Sequence, residues 1–250
     1  MVTMLIFILL PAAFLLPPRA EAGEIIGGQE ARPHSRPYMA YLKIQNGKNI
    51  FSCGGFLVSQ NFVLTAAHCN VGEITVHLGA HNISKQERSQ QEIPTRAKIP
   101  HPPYEKEAFN NDIMLLQLDR RATLNTWVKT IPLPRADERV QPGAVCSTAG
   151  WGRIRSWLAW TPDTLREVDV EVLKNDACGK YRHYNASTML CAGDRRKGKD
   201  SAEGDSGGPL VCKGTVQGIV SWGPPTPPGV YTRVSTFVPW IKKMMKKPQP

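Results

Sequence analysis

The chain has 250 residues, 41% hydrophobic and 21% charged, an ordinary globular composition with room for one large domain or two small ones around an ample core. It shows no short-period repeat and no low-complexity tract, which sets aside repeat and disordered architectures. Its 31 Lys and Arg against 21 Asp and Glu give a formal charge of +10; such an excess predicts contact with polyanions (sulfated glycans, nucleic acid or anionic membrane) and says nothing about chemistry.

Residues 4–16 form a short apolar run, followed by Pro17-Pro18-Arg19 and the small-residue pattern Ala20-Glu21-Ala22. This reads as a secretory signal peptide, residues 1–22, cleaved after Ala22. The run is shorter than the ~20 apolar residues a membrane span needs and contains Pro11, so no span is expected. The start, Met1-Val2-Thr3, departs from the pattern in having no basic side chain. Export gives the six cysteines a meaning: in an oxidising compartment an even number predicts disulfides, with the connectivity left open. No Cys-x-x-Cys pair occurs, so a zinc or redox site is not expected. Asn82-Ile83-Ser84 and Asn185-Ala186-Ser187 are candidate glycosylation sequons at Asn82 and Asn185.

After Gly23-Glu24 comes Ile25-Ile26-Gly27-Gly28, and from Tyr38 onward short apolar or alternating runs are broken by Gly, Pro and Asn. Examples are Phe62-Val63-Leu64, Ile74-Thr75-Val76-His77-Leu78 and the apolar run 113–118. This is an all-β pattern. Residues 133–143 are polar, carry Pro134 and Pro142, and read as a linker; a second β-rich half follows to about residue 234. One helix is expected, over 235–247. Ser235 or Thr236 would cap it and Pro239 is placed in its first turn; Phe237, Trp240, Ile241 and Met244 share a face, and Lys242, Lys243, Lys246 and Lys247 suit its C-terminal end.

Three stretches carry chemistry. In Gly204-Asp205-Ser206-Gly207-Gly208-Pro209, Ser206 offers a nucleophilic hydroxyl, while the side-chain-free Gly204 lets its N–H converge with that of Ser206 on one point, as an oxyanion hole requires. His68, in Leu64-Thr65-Ala66-Ala67-His68-Cys69, is a candidate base whose backbone the neighbouring cysteine would pin. Asp112 opens the apolar run of Asn111-Asp112-Ile113-Met114-Leu115-Leu116; an acid so placed is expected to be partly buried and to need a partner such as a histidine N–H. The other histidines (His34, His77, His81, His101, His183) read as structural or exposed, and no helix presents His77 and His81 as metal ligands.

In this order and spacing, the three motifs resemble the chymotrypsin-like serine peptidases over essentially everything after Glu24. The resemblance implies two six-stranded antiparallel β-barrels (residues 25–133 and 144–234) with a C-terminal helix at 235–247. It implies a triad in which His68 takes the proton of Ser206, Asp112 orients the imidazole, and the N–H groups of Gly204 and Ser206 hold the oxyanion. Ser221-Trp222-Gly223 would be the strand edge that pairs with an extended substrate. After removal of the dipeptide 23–24, the Ile25 amine would insert and pair with Asp205, so the precursor would be inactive. A two-residue acidic pro-segment resembles the granule-stored branch of granzymes, cathepsin G and mast-cell chymases, in which a dipeptidyl peptidase removes it. Pro33-His34-Ser35-Arg36-Pro37-Tyr38-Met39-Ala40 resembles that branch's N-terminal signature. The implied disulfides are Cys53–Cys69, Cys146–Cys212 and Cys178–Cys191; Ala202 stands where relatives place one cysteine of an extra bridge. Ala80 stands where an acid follows the loop glycine in calcium-binding relatives, so no metal and no cofactor is expected.

Asp200, six residues before Ser206, matches the acid at the base of the primary pocket in trypsin-like relatives, with Gly223 and Gly229 at its walls and Ser201 and Glu203 beside it. A buried carboxylate needs a cation, so cleavage after Arg or Lys is expected rather than the chymase preference. The implied partners are protein and peptide substrates, serpin-type inhibitors and acidic proteoglycan or heparin, for a monomer of the secretory pathway, granule-stored or extracellular. No motif supports nucleic-acid reading. The rival reading is a cationic binding protein with little catalysis. Loss of residues 1–24 takes away Arg19, Glu21 and Glu24 and raises the formal charge to +11, which suits either reading.

Overall fold

The computed structural model describes residues 28–152, 162–194, 205–224 and 226–247. In chain order the strands are β1 (Gln29–Glu30), β2 (Met39–Asn46), β3 (Asn49–Ser59), β4 (Phe62–Thr65), β5 (Glu73–Leu78), β6 (Gln91–Pro100) and β7 (Met114–Leu118). After them come β8 (Val145–Gly150), β9 (Arg166–Glu171), a one-turn helix α1 (Asp176–Gly179), β10 (Met189–Ala192), β11 (Pro209–Cys212), β12 (Thr215–Trp222), β13 (Gly229–Arg233) and the helix α2 (Val234–Lys246). Strands β2 to β7 close into a six-stranded barrel in the order β2-β3-β4-β7-β6-β5, with β4 pairing with β3 only from Phe56 onward.

Strand alternation explains the interior. In β2, Leu42 and Ile44 point inward while Lys43 and Gln45 face out, and the apolar β7 is buried at every position. The six strands of the second half, β8 to β13, form the second sheet, and β1 joins it as a seventh strand by pairing with β9. A bridge between Val172 and Ala192 draws two of its strand ends together. The core of this half is Val168, Val170, Leu190, Leu210, Val220 and Tyr231.

The terminal helix belongs to the first core: Phe237 and Ile241 are buried with the barrel residues, and Trp240 and Met244 pack against them. Each fully buried apolar side chain contributes about 1.5–3 kcal/mol. Two expectations about α2 are corrected. The helix begins at Val234, so Ser235 and Thr236 lie inside its first turn and do not cap it; the Thr236 hydroxyl donates to the Ser187 carbonyl instead. Pro239 falls in the second turn, where its ring nitrogen has no hydrogen for the Ser235 carbonyl, and that carbonyl takes the Asp137 N–H at 3.2 Å. No helix among the described residues is long and apolar enough to cross a membrane.

Candidate active site

The site is assembled at the junction of the two halves. His68 sits on a 3-10 turn, Ala67–Cys69, directly after β4. The Cys53–Cys69 disulfide ties that turn to β3, so the histidine backbone is held from both sides. The other bridges are Cys146–Cys212 and Cys178–Cys191, the pairs implied by the resemblance.

Asp112, two residues before β7, is fully buried, and a buried carboxylate survives only with donors around it. It has three. Its Oδ1 accepts the His68 backbone N–H at 2.9 Å, its Oδ2 lies 2.7 Å from His68 Nδ1, and the same Oδ2 accepts the Ser221 hydroxyl at 2.5 Å. The Thr232 hydroxyl donates to the Asp112 backbone carbonyl at 2.7 Å and fixes the acid from the second sheet. With Nδ1–H directed at the acid, Nε2 is left as the basic nitrogen of His68. The His68 side chain is 21% exposed, so it reaches the surface from a buried anchor.

Ser206 lies in a turn running from Asp205 to Gly208, closed by the Gly208 N–H on the Asp205 carbonyl at 2.8 Å. The Gly54 N–H of β3 donates to the Ser206 carbonyl at 2.7 Å, and the Cys69 sulfur lies 3.8 Å from that oxygen. The backbone of Ser206 is therefore docked on the barrel that carries His68. Gly207 has φ +82°, and a Cβ there would run into the Thr65 hydroxyl and the Gly54 carbonyl, so only glycine lets the turn dock this closely. Asp205 is also fully buried, and its Oδ1 accepts the Gly152 N–H at 2.8 Å.

An aromatic file borders His68. The Phe109 ring meets the imidazole edge-on at 5.7 Å between centroids, Trp222 lies 6.5 Å beyond Phe109, and Tyr181 lies 5.8 Å from Trp222. Tyr181 donates its hydroxyl to the Pro228 carbonyl at 3.1 Å. Behind Trp222, a Cβ on Gly223 would sit 3.1 Å from the Gly229 Cα, so the two glycine backbones approach each other where β12 ends and β13 begins. Burial, reinforced by the negative charges of Asp112 and Glu107, pushes the Tyr104 phenol up to about 12, so it stays neutral beside the acid.

Of the residues singled out from sequence, His68, Asp112 and Ser221 are joined by hydrogen bonds, Ser206 is docked beside them on β3, and Trp222, Gly223 and Gly229 line the adjoining strand ends. Ser221, expected in the strand edge that pairs with substrate, also donates its hydroxyl to Asp112. Ile25, Asp200, Ser201, Glu203 and Gly204 lie outside the described residues. Asn82 and Asn185 are half-buried, and each side-chain oxygen accepts both the N–H and the hydroxyl of the serine two residues on. Sequence reasoning missed Phe109 and Thr232; the first stood out only as an aromatic side chain in a polar loop. Among the described residues, Cys53, His68 and Cys69 are close enough together to hold a metal, but both sulfurs are committed to a disulfide and offer no thiolate.

Known proteins resemble this chain along most of its length. The family model described as Trypsin matches residues 25–241. The chain is 54% identical to Granzyme B of Homo sapiens over 244 residues (96% of this chain, 98% of the relative). It is 52% identical to Cathepsin G of Homo sapiens over 242 residues (96% and 94%) and 53% identical to Mast cell protease 3 of Ovis aries over 247 residues (98% and 97%). A solved structure titled "Structure of GrC" superposes with a TM-score of 0.85 at 48% identity, covering 89% of this chain and all of that one.

Proposed function

Because the chain belongs to the trypsin family and is a serine endopeptidase, we propose that it cleaves peptides after Arg or Lys with His68, Asp112 and Ser206 as its triad. The observation that carries the triad is the buried Asp112 carboxylate clamped on both the ring and the backbone of His68, with the Ser206 turn docked on the same barrel. Asp112 holds the tautomer that leaves Nε2 free to take the Ser206 proton. The hydroxyl oxygen attacks the scissile carbonyl, and the N–H groups of Gly204 and Ser206 stabilise the oxyanion. The imidazolium, balanced by Asp112, returns its proton to the leaving amine. Water then enters and the same steps run on the acyl-enzyme. Removal of the Gly23-Glu24 dipeptide by a dipeptidyl peptidase frees the Ile25 amine, which pairs with Asp205 and orders the oxyanion hole.

Asp200 is proposed as the selector. Its support is its offset of six residues from Ser206 and the close approach of Gly223 to Gly229, which keeps side chains out of the wall. The basic surface suits storage on acidic proteoglycan in the secretory pathway, and serpin-type inhibitors are the expected regulators. The test uses protein beginning at Ile25 and peptides identical except for Arg, Lys, Phe, Leu or Asp on the acyl side of the bond. Arg and Lys substrates are expected to dominate, and Asp200→Ser should lower their kcat/KM by about 10⁴-fold, because a site built for a charged partner rejects mismatches strongly. Cleavage led by Phe or Leu would keep the enzyme and overturn the pocket assignment.

A further inference from the structure

A cleft of about 470 Å³ opens in the second half of the molecule, between residues 138–141 and the ends of β8, β11 and β12. A volume of this order suits a small ligand. These are the strand ends turned away from the candidate active site: β8 runs on toward Gly152, which holds Asp205, β11 starts after the Ser206 turn, and β12 finishes at Trp222. None of the residues that line the cleft takes part in that site. Part of its wall is apolar. Val140 and Ala144 pack on the core of the second sheet, and Cys212 carries the bridge to Cys146. Val145 is 65% exposed, more than any other large apolar side chain among the described residues. An apolar surface left open in a cleft is free to cover a ligand.

The polar part of the lining is cationic. Lys213 and Gly214 make the two-residue connection between β11 and β12, with φ +49° and +77°, the tight hairpin geometry that fixes where the lysine stands. Arg139 is exposed in the cleft, and its Nη1 lies 3.5 Å from the Ala186 carbonyl. The same oxygen accepts Nη2 of Arg233 at 3.1 Å, so two guanidinium groups converge on one neutral acceptor. Arg233 is buried, and its Nε has no partner among the described residues. Neither arginine is paired with a carboxylate among those residues. Burial and the charge of Arg139 pull the Arg233 guanidinium below its usual range. Two like charges held this close are costly, and an anion beside them lowers the cost. Glu138, the acid among the described lining residues, is already committed. Its Oε2 accepts the Arg135 N–H at 3.1 Å and its Oε1 the Gln217 amide at 2.6 Å.

We propose that this cleft binds a small amphipathic carboxylate, with the carboxylate on the Arg139 guanidinium and the apolar tail against Val140, Ala144 and Val145. A guanidinium takes a carboxylate through two parallel N–H bonds, and the single long contact to Ala186 leaves that fork open. Arg233 adds its charge from a buried position, where salt screens it little. Both halves of the ligand are needed. A carboxylate without a tail meets an exposed guanidinium in water, an interaction worth little, and a tail without a carboxylate leaves the two arginines unpaired. The inference is independent of the reading of His68 and Ser206, because the cleft lies outside their site.

The test follows the amide NMR shifts of Val145 and Gly214 in Ser206→Ala protein beginning at Ile25, titrated separately with hexanoate, acetate and hexanol. Hexanoate should bind about 10-fold more tightly than acetate, because its added CH₂ groups are partly buried, and more tightly than hexanol, which brings no charge. Arg139→Gln should weaken hexanoate about 10-fold, the loss expected when a bond to a charged group is removed. Val145→Ser should weaken hexanoate and leave acetate as it was. Arg121→Gln, at an exposed arginine of the barrel half, should leave all three titrations in place. Equal affinity for hexanoate and acetate, equal affinity for hexanoate and hexanol, or undiminished hexanoate binding in Arg139→Gln would each overturn the site. Shifts at Val145 and Gly214 produced by an acidic peptide and not by hexanoate would overturn it in favour of a protein partner.

Discussion

Among the described residues, each half of the molecule buries one aspartate completely, and the two have different company. Asp112, two residues before a barrel strand, is surrounded by the ring and backbone N–H of His68 and the hydroxyl of Ser221. Asp205, in a glycine-rich turn of the second sheet, is held by the backbone N–H of Gly152 and sits one residue before Ser206. The first environment holds an imidazole in one tautomer. The second ties a turn to the rest of its sheet, so a change at Asp205 is felt as a change in the backbone around Ser206. A buried charge is costly wherever it lies, and what surrounds it decides whether that cost orients a base or shapes a loop.

Substitutions at the two acids should separate these jobs. Asp112→Asn replaces an acceptor oxygen with a donor group, favours the tautomer with the proton on Nε2 and removes the base; kcat should fall by about 10⁴-fold in steady-state assays, with the fold retained. Asp205→Asn leaves the His68 pair intact and weakens the oxyanion hole, so a smaller loss of about 10²–10³-fold in kcat is expected. If the two losses were equal, the division of labour would fail. Ser221→Ala sharpens the comparison within one pocket: it removes one of three donors to Asp112, and kcat should drop roughly 10-fold, in line with one hydrogen bond to a charged group.

A stability measurement serves as the control outside both pockets. Burial lowers the His101 imidazole below its ordinary 6.5, where its ring meets Phe237 and Trp240 edge-on at 5.0 Å each. The unfolded chain therefore takes up a proton first as pH falls through that ordinary value. Stability declines from there until the folded protein is protonated as well. Tm should fall on acidification from neutral pH, and His101→Gln should make that slope shallower while leaving the pH profile of catalysis in place.

Much of this was legible in the sequence because it is written locally. The apolar run after Asp112 could only be a buried strand, the helix face of Phe237 and Ile241 follows its period, and the three motifs around His68, Asp112 and Ser206 are contiguous in the chain. What escaped is long-range. Phe109 reaches the imidazole from a loop with φ +50°, and nothing in its neighbours announces that contact. Ser221 and Thr232 are both spent on Asp112, more than a hundred residues away, although each looks like an ordinary strand residue. The two-residue β1 is too short for any alternation to declare it. The helix start was missed because the Thr236 hydroxyl, a local cap by sequence, donates to the distant Ser187 carbonyl instead.

The most direct test of the account is covalent labelling of Ser206 by a fluorophosphonate, compared between protein beginning at Ile25 and protein that retains Gly23-Glu24. Stoichiometric labelling at Ser206 is expected in the trimmed protein, and strongly slowed labelling in both the untrimmed protein and trimmed Asp205→Asn. Equal labelling rates in all three would contradict it, because the acid beside the nucleophile would then have no part in switching the site on.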